Sequence, residues 1–384
     1  MLEPMKSKRT LSLKACLECE DIMLDQDSLD LLFDSIKRFL QERYGFADYQ
    51  RISDSELGWS QEMWQEFVSM GWLGLTVPEE DGGLGATAAQ CLDLFEHAGG
   101  ALVLEPLLPT LLIAGEVVRT VRHATTRKML ANGVIGGDVR MSLVPRQVEA
   151  VCTCSVIANG DGFHLKGRFP AVLGGANATH FVVSAQLGDE FAMFLVPKAN
   201  TGVEVEPVRL IDGRWGATLN IDSIMEAEAL LPIDARGGQR LEDLVAAGCV
   251  AEAAGVLKRA LNTSIEYLKL RKQFGQPLSS LQVVQHAMAE VYVVSEQMRS
   301  LVKAVSEGLE GPDSTYLVSA AKAYLGIAGY RAVEKCIQFH GGMGITEEYP
   351  IGHYYKRLLV LGAACGSASG HLQRMAFRIR SETR

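Results

Sequence analysis

The pattern of apolar residues changes twice along the chain. Between Asp27 and Tyr44 apolar residues keep the spacing of one helix face, and further helical stretches follow. From Val139 to about Ile233, short runs rich in β-branched and aromatic residues alternate with glycine-containing turns, which is typical of strands. From Gln239 onward the helical spacing returns for long stretches. The pattern therefore predicts helices, then strands, then helices.

These changes predict an α+β protein in four parts. Residues 1–24 are expected to form a disordered leader, and residues 25–138 an N-terminal helical domain. Residues 139–236 are expected to form a small β-barrel or sandwich domain. Residues 237–384 are expected to form a C-terminal bundle of about four long antiparallel helices.

Composition and charge narrow the classes of function. The 384 residues are 48% apolar, enough for a substantial core, and the net charge of -9 argues against a nucleic-acid partner. No apolar run approaches the roughly 20 residues that span a bilayer, and the N-terminus has no secretion signal. The eight cysteines are scattered, with no second pair at zinc-ligand spacing, which predicts reduced thiols in a cytoplasmic protein without a metal site.

Three glycine-containing motifs occur in an ordered series. They are Pro78 to Gly85, then Arg271 to Gly275 followed by Gln282, then Gln338 to Gly344. In this order and spacing they closely resemble motifs of the acyl-CoA dehydrogenase family, whose helix–strand–helix domain order also agrees. The resemblance implies an acyl-CoA dehydrogenase-like fold and an FAD-dependent α,β-dehydrogenation of an acyl-CoA thioester. It also implies electron-transfer flavoprotein as the electron acceptor.

The resemblance further implies a set of FAD-binding residues. An arginine suits a pyrophosphate oxygen, glutamine amides can bond the dinucleotide, and glycines let backbone amides approach it closely. In the family the FAD lies across a subunit interface, so these residues would serve the dinucleotide half of an FAD whose flavin ring lies in a neighbouring subunit. The residues carried over are Arg271, Phe274, Gln282, Gln338, Gly341 and Gly342.

The chain departs from the family where the β domain should present the flavin ring. In place of a polar stretch rich in Gly, Ser and Thr it has Leu143 to Val148, and in place of a Trp-Ile-Thr or Trp-Ile-Ser stretch it has Ala171 to Leu173. These replacements remove a stacking ring and hydroxyl partners. They predict weakened flavin binding on this side, unless backbone amides replace the lost side chains.

The second departure is the catalytic base. Counting from the glycines, the glutamate that removes the α-proton in many members is replaced by Cys365, which is a poor base because nothing cationic flanks it in sequence. In relatives with a displaced glutamate, that position falls at Val245. Of the carboxylates nearby, Glu242 and Asp243 are expected to be solvated or to cap a helix, and Glu252 to be buried and paired. No catalytic residue is therefore assigned to this chain.

The stretches Ala101 to Pro106 and Tyr349 to Arg357 resemble one branch of the family. That branch contains the small subunits of two-component bacterial enzymes acting on pimeloyl-type or steroid side-chain thioesters, which commonly lack the base. The leading hypothesis is therefore a small subunit that shares FAD with a larger partner chain.

Three alternatives stay open. One is a self-sufficient homo-oligomeric dehydrogenase with a displaced base, one is a flavin monooxygenase or oxidase on the same fold, and one is a structural protein without flavin. Assembly through the C-terminal helices is expected in addition, because an apolar stripe after Ser280 exceeds what one domain face needs. Its residues are Val283, Val284, Met288, Val291, Val294, Met298, Leu301 and Val302.

Overall fold

The computed structural model describes residues 26–144, 154–188 and 190–382. The expected leader at 1–24 lies outside these residues, as do Pro145 to Val148 of the first altered stretch. In the described part, helices precede one sheet and helices follow it. The predicted α+β class and the order of its parts are confirmed.

The N-terminal part is helical because its apolar residues all turn toward one core. Trp64, Phe67 and Trp72 are fully buried there, and the last two rings stack with centroids 4.3 Å apart. The described helices of this part are α1 (Gln26–Arg43), α2 (Phe46–Ser53), α3 (Gln61–Ser69), α4 (Leu92–Ala101), α5 (Leu107–Thr120) and α6 (Ala124–Ile135).

The central part is one continuous eight-stranded sheet with an apolar core of its own. The strands are β1 (Met141–Val144), β2 (Ser155–Asn159), β3 (Gly162–Val172), β4 (His180–Leu187), β5 (Glu190–Pro197), β6 (Val203–Arg209), β7 (Trp215–Met225) and β8 (Leu230–Leu231). Their order in the sheet is β6-β7-β3-β2-β4-β5-β8, with β1 pairing to β4 in parallel and β3 pairing to β7 in antiparallel.

The C-terminal part is built around one long helix. This helix, α7 (Ala235–Leu270), begins where the Asp234 side chain accepts a hydrogen bond from the Gly237 amide. Every residue from 241 to 257 is buried, because neighbouring elements surround the helix on all sides. The other helices of this part are α8 (Gln282–Gly308), α9 (Ser314–Tyr324), α10 (Tyr330–His340), α11 (Pro350–Ala363) and α12 (Ala368–Glu382).

Two connections within the C-terminal part matter for the site. A short hairpin, β9 (Lys272–Gln273) and β10 (Gln276–Pro277), joins α7 to α8. A π-helical turn at Leu325–Gly329 joins α9 to α10, so that they form nearly one helix.

The apolar stripe of α8 belongs mostly to the core of its own domain. Val284, Met288, Val291, Met298 and Val302 are buried in the single chain. Val283 alone of the stripe is strongly exposed, at 70%. The expectation that this stripe exceeds one domain's needs was wrong, because α7, α9 and α10 all pack against α8.

Helices α4 and α7 cross so closely that two glycines are required. A methyl group on Gly255 would overlap the Glu96 carbonyl, and one on Gly99 would overlap the Glu252 carbonyl. Neither contact can relax through a flexible side chain, since both partners are backbone atoms. The crossing therefore fixes α7 against the N-terminal helices.

We expect Gly255→Ala to lower the free energy of unfolding by about 1–3 kcal/mol, because the added methyl forces the two helices apart. The matched control is Gly362→Ala in α11, where a methyl would meet no atom within 4 Å. That change should be neutral or stabilise by up to about 1 kcal/mol through helix propensity. Denaturant titration of both variants measures the difference, and equal stabilities would contradict the tight crossing.

Candidate functional site

The side chains of the predicted dinucleotide set lie on the surface at one end of the C-terminal domain. Arg271, Gln282 and Gln338 are exposed, and none makes a side-chain hydrogen bond or ion pair with another described residue. Phe274 is 88% exposed, and Gly341 and Gly342 are exposed as well. An exposed aromatic ring beside uncommitted polar groups is typical of a surface that meets a ligand or a partner.

The helix packing brings the two halves of this set to the same end of the bundle. Helix α8 runs antiparallel to the α9–α10 segment, because Tyr324 bonds Gln297 and Lys335 pairs with Glu290. The same antiparallel alignment brings the start of α8 toward the end of α10, where Gln338 lies. There the end of α7 also arrives, since the rings of Tyr267 and His340 stack 4.4 Å apart.

The backbone at this end has conformations that leave main-chain groups open. Gly341 has φ 58° and ψ −137°, a combination that glycine adopts far more easily than other residues. A methyl on Gly341 or Gly342 would meet no atom within 4 Å, so a ligand can approach either backbone. Phe274 has φ 56° in the hairpin turn, a strained conformation for a bulky residue, and this turn directs its ring outward.

A cavity of about 390 Å³ adjoins Gln338. It lies between the end of α10, the loop at 344–347 and the first turns of α11, and its polar lining includes Glu347, His353 and Lys356. The loop is held in place because Gln50 and His353 both contact the Glu347 carbonyl. The exposed set therefore borders an open, polar hollow.

The position expected for the catalytic base is occupied by a thiol. Cys365 lies between α11 and α12 with φ 57°, and it is half-buried. Val245, Cys249 and Glu252 share one buried face of α7 at helical spacing. Both positions where the family carries its glutamate are thus met by groups that are not carboxylates.

Nothing cationic flanks Cys365 in sequence, but the fold brings a lysine close to it. Lys322 on α9 is fully buried and lies beside the chain segment that ends at Cys365. Its Nζ atom donates to the carbonyl oxygens of Leu361, Gly362 and Ala364 at 2.5, 3.2 and 2.6 Å. The sequence did not reveal this residue, because its contacts are made by the far end of α11.

The expectation that Glu242 and Asp243 are solvated or capping was wrong. They are 5% and 2% exposed, because α9 packs against α7 and the Arg374 side chain of α12 reaches both carboxylates. Asp243 accepts hydrogen bonds from Gln239 and Thr315, and Arg374 of α12 lies 3.6 Å from Glu242 and 3.9 Å from Asp243. Both carboxylates are buried and paired.

Glu252 belongs to a buried network of two arginines and two carboxylates. Arg357 of α11 holds Glu252 with two hydrogen bonds of 2.7 and 2.6 Å and reaches Asp212 at 2.8 Å. Arg214 completes the network, 3.1 Å from Asp212 and 3.4 Å from Glu252. The prediction that Glu252 is a buried, paired carboxylate is confirmed.

The network joins all three parts of the chain. Asp212 and Arg214 lie in the turn between β6 and β7, whereas Glu252 and Arg357 lie on C-terminal helices. Arg214 also donates to the Val103 carbonyl at 2.6 Å, and the Tyr49 hydroxyl donates to the Asp212 carbonyl at 3.2 Å. Both of these partners belong to the N-terminal helices and their connections.

The pKa shifts in the network follow from its charge balance. Burial opposes the charged form of Asp212, yet Arg214 and Arg357 hold its pKa below the usual value. Burial likewise opposes the charged form of Arg357, but Glu252 and Asp212 raise its pKa above the usual value. Asp212 and Arg357 are therefore held charged, and both carboxylate oxygens of Glu252 accept hydrogen bonds from arginines.

The junction of the three parts leaves little free space. A cavity of about 50 Å³ remains there, between the Val103–Pro109 segment, Leu173, Trp215, Glu252 and Arg357. Pockets for cofactor-sized ligands usually measure about 300–1,000 Å³. The described residues at this junction leave no room for a flavin ring beside an acyl thioester.

The stretch Ala171 to Leu173, where the chain departs from the family, takes part in packing and backbone hydrogen bonds. Val172 is buried in the sheet core, and the Leu173 carbonyl accepts a 2.7 Å hydrogen bond from Ser142. Ala171 has φ 54°, at an irregularity in the pairing of β3 with β7. Of the first stretch, Leu143 and Val144 are described, and both are buried.

The residues present fit one half of an FAD. The exposed guanidinium, the two amides and the open glycine backbone suit a pyrophosphate and its nucleotide. The cavity that Leu173 and Trp215 of the β domain line measures only about 50 Å³, too small for the isoalloxazine. The fit therefore favours a cofactor shared with another chain.

Comparison with known proteins agrees with this architecture. The family model for "Acyl-CoA dehydrogenase, N-terminal domain" matches residues 26–137, and that for "Acyl-CoA dehydrogenase, C-terminal domain" matches residues 244–379. Together they cover more than half of the chain. Within the described residues, no helix is long and apolar enough to cross a membrane.

Individual relatives are similar over most of this chain. Acyl-CoA dehydrogenase FadE34 of Mycobacterium tuberculosis is 28% identical over 345 residues, which are 86% of this chain but only 45% of FadE34. A variant of the Tcur3481-Tcur3483 steroid ACAD has 27% identity and a TM-score of 0.85, covering 93% of this chain and 99% of that one. The ChsE4-ChsE5 complex of Mycobacterium tuberculosis has a TM-score of 0.86 at 21% identity, covering 94% and 99%, and so shares the fold.

We expect Glu252→Gln to lower the free energy of unfolding by about 3 kcal/mol, because it leaves two buried arginines with one carboxylate. The matched control is Lys166→Met, which removes a cation from an exposed pair with Asp222 and should leave stability nearly unchanged. Denaturant titration of the two variants tests this. A Glu252→Gln protein as stable as the control would show that the network is not a structural requirement.

Proposed function

Because the chain belongs to the acyl-CoA dehydrogenase family of flavoprotein oxidoreductases, we propose that it is the non-catalytic small subunit of a heteromeric member of that family. It contributes the nucleotide half of a shared FAD site, and a larger partner chain contributes the flavin pocket and the base. The complex dehydrogenates the α,β-bond of an acyl-CoA thioester, with electron-transfer flavoprotein as acceptor. The observation that carries this proposal is Cys365, a half-buried thiol at the position where the family's carboxylate is expected.

The geometry supports a cofactor-binding role for the surface of the chain and a structural role for its interior. A base must reach the α-proton of the substrate, within about 3 Å of a carboxylate oxygen. In this chain the nearest carboxylate on the relevant face of α7 is Glu252, which two arginines already hold. At the bundle end, by contrast, Arg271 and Gln338 have no polar side-chain partner among the described residues and are free to meet a ligand from another chain.

Two similar structures favour a two-chain enzyme. One names a pair, Tcur3481-Tcur3483, as a steroid ACAD, and the other names the ChsE4-ChsE5 complex. The first of them is 27% identical to this chain. We propose by this likeness that the thioester carries a steroid side chain or a similarly bulky acyl group.

The experiment that tests the proposal compares the chain alone with the chain coexpressed with the product of an adjacent reading frame. Alone it should bind little flavin, because it supplies half of a site. The complex should be yellow, with about half as many FAD molecules as chains, and an acyl-CoA should bleach it without oxygen. A chain that alone binds stoichiometric flavin and is bleached by acyl-CoA would be a self-sufficient dehydrogenase. Oxygen consumption by reduced flavin would instead indicate a monooxygenase.

We expect Arg271→Ala to weaken FAD retention in the complex about 10- to 100-fold, since a charge-assisted contact contributes about 1.5–3 kcal/mol. The fold should persist, because the side chain has no partner within the described residues. Lys272→Ala, an exposed cation one residue further on, is the matched control and should keep its flavin. Flavin content after gel filtration measures both, and an unchanged content in the Arg271 variant would make that residue structural.

The missing base gives a further prediction. Cys365→Glu alone should create no dehydrogenase activity on this chain, because the cavity of about 50 Å³ at the junction of the three parts has no room for a flavin ring. Glu252→Gln and Asp243→Asn should leave the turnover of the folded complex within about tenfold of the parent. A loss of about 10⁴-fold in either, with flavin and fold intact, would identify a displaced base and overturn the silent-subunit proposal.

A further inference from the structure

Exposed apolar side chains are concentrated at the bundle end, where the predicted dinucleotide set lies. Of the described residues, seven large apolar side chains are at least 70% exposed, and four of these are Leu270, Phe274, Val283 and Ile345. They belong to the end of α7, the hairpin, the start of α8 and the loop after α10, which meet at this end. A concentration of this kind marks a surface that another segment or chain covers.

The bundle end also carries positive charges without partners. Lys269, Arg271 and Lys272 flank the exposed Leu270. None of these three cations forms an ion pair or a side-chain hydrogen bond with another residue that the structure describes, although Glu266 lies one turn earlier on α7. The segment that covers this surface should therefore combine apolar side chains with carboxylates.

Helix α1 runs parallel to α4 and extends beyond its start. The Tyr44 hydroxyl, directly after α1, accepts from the Leu104 amide and donates to the Glu105 carboxylate, both just after α4, so the two helices end together. Helix α1 also packs against α4, which requires it to run back along that helix. With 18 residues against 10, α1 extends about 12 Å beyond the start of α4.

The packing of α4 on α7 places the start of α1 level with the bundle end. Gly99 packs on Glu252, and Lys258 lies 3.2 Å from Glu96, so α4 and α7 are antiparallel. The start of α4 is therefore level with the later part of α7, and the start of α1, about eight helical residues further on, is level with its last turns. The chain enters α1 beside the surface around Leu270.

The nine residues directly before α1 have the composition that this surface requires. Residues 17–25 lie outside the described residues. Their charged members are all carboxylates, Glu18, Glu20, Asp21 and Asp25, and their large apolar members are Leu17, Ile22, Met23 and Leu24. Packed helices lie about 8–10 Å apart, so α7 is within about 20 Å of α1 across α4, and nine residues span up to about 30 Å.

We propose that residues 17–25 bind across the bundle end of the same chain, with their carboxylates beside Lys269 and Lys272 and their apolar side chains on Leu270 and Val283. Bound there, the segment covers the dinucleotide set, so FAD and the partner chain must displace it. This displacement rests on the proposed function. The covered state keeps the apolar surface out of water until a partner arrives, and it lowers the apparent affinity for that partner by the fraction of chains left uncovered.

The direct test is carbodiimide cross-linking of the purified full chain, because this reagent joins an ammonium to a carboxylate only where the two touch. Peptides that link Lys269 or Lys272 to residues 17–25 are expected in the mass spectrum. In a mixture of isotope-labelled and unlabelled chains, each link should join peptides of the same label. Links between different labels would place the segment on a second copy and overturn the proposal, as would the absence of any link.

The matched control for the cross-link is Lys128, which stands beside the exposed Met129 on α6. Helix α6 follows α5, whose end lies at the start of α7, since Arg240 is 3.3 Å from Glu116. Lys128 should therefore form no link to residues 17–25. A link to Lys128 as abundant as that to Lys269 would show contact without a defined site and contradict the proposal.

Neutral substitutions test whether the segment competes with the partner chain. Glu18→Gln, Glu20→Gln and Asp21→Asn together should remove the link and tighten binding of the adjacent reading frame's product about three- to tenfold, because the surface is already uncovered. Calorimetric titration with FAD present measures this affinity. The control, Asp54→Asn with Glu56→Gln, removes exposed carboxylates of the loop after α2 and should change nothing.

The outcomes separate this inference from the proposed function. A link that persists in the neutralised variant, or a partner affinity that stays at the parent value, would overturn the competition between segment and partner. If the link forms but neither parent nor variant binds the partner chain, the proposed function fails, whereas the binding of residues 17–25 to the bundle end is supported.

Discussion

Two arginines and two carboxylates, held away from water, determine how the three parts of this chain meet. Arg357 alone bonds Glu252 on α7 and Asp212 in the β6–β7 turn. The paired charges offset the cost of their burial only while all four remain in place. The crossing of α4 and α7 adjoins this network, since a methyl group on Gly99 would overlap the carbonyl of Glu252.

This constraint also limits what the interior can do chemically. Acyl-CoA dehydrogenation needs a carboxylate with room for a substrate beside it, and Glu252 is surrounded by arginines at a junction with about 50 Å³ of free space. Cys365, a thiol, stands where the base is expected, next to Ala364, whose carbonyl accepts a hydrogen bond from Lys322. The groups that suit a cofactor lie outside, at the end of the helical domain. On the proposed function, the interior of the chain serves packing, and its surface binds the cofactor that it shares with a catalytic partner.

How much could be predicted from the sequence depends on how local each feature is. The glycine loop at Gly341 and the hairpin at Phe274 rest on neighbouring residues, so their motifs indicate them directly. Arg357 and Asp212 are 145 residues apart in the sequence, and no local pattern predicts their contact. Glu242 and Asp243 stand near a helix start, where carboxylates are usually solvated, and contacts with Thr315 of α9 and Arg374 of α12 pair them in the fold. The contacts of Lys322 could not be predicted for the same reason, since its three acceptors lie at and just after the end of α11.

The most direct test of the central claim is an experimental structure of the complex between this chain and its partner, determined with FAD. The account predicts flavin density with its nucleotide end against Arg271 and Gln338 and its ring in the partner subunit. It also predicts that the Glu252–Arg357 network remains closed. A flavin ring bound against Leu173 of this chain, with a carboxylate of this chain facing it, would contradict the account.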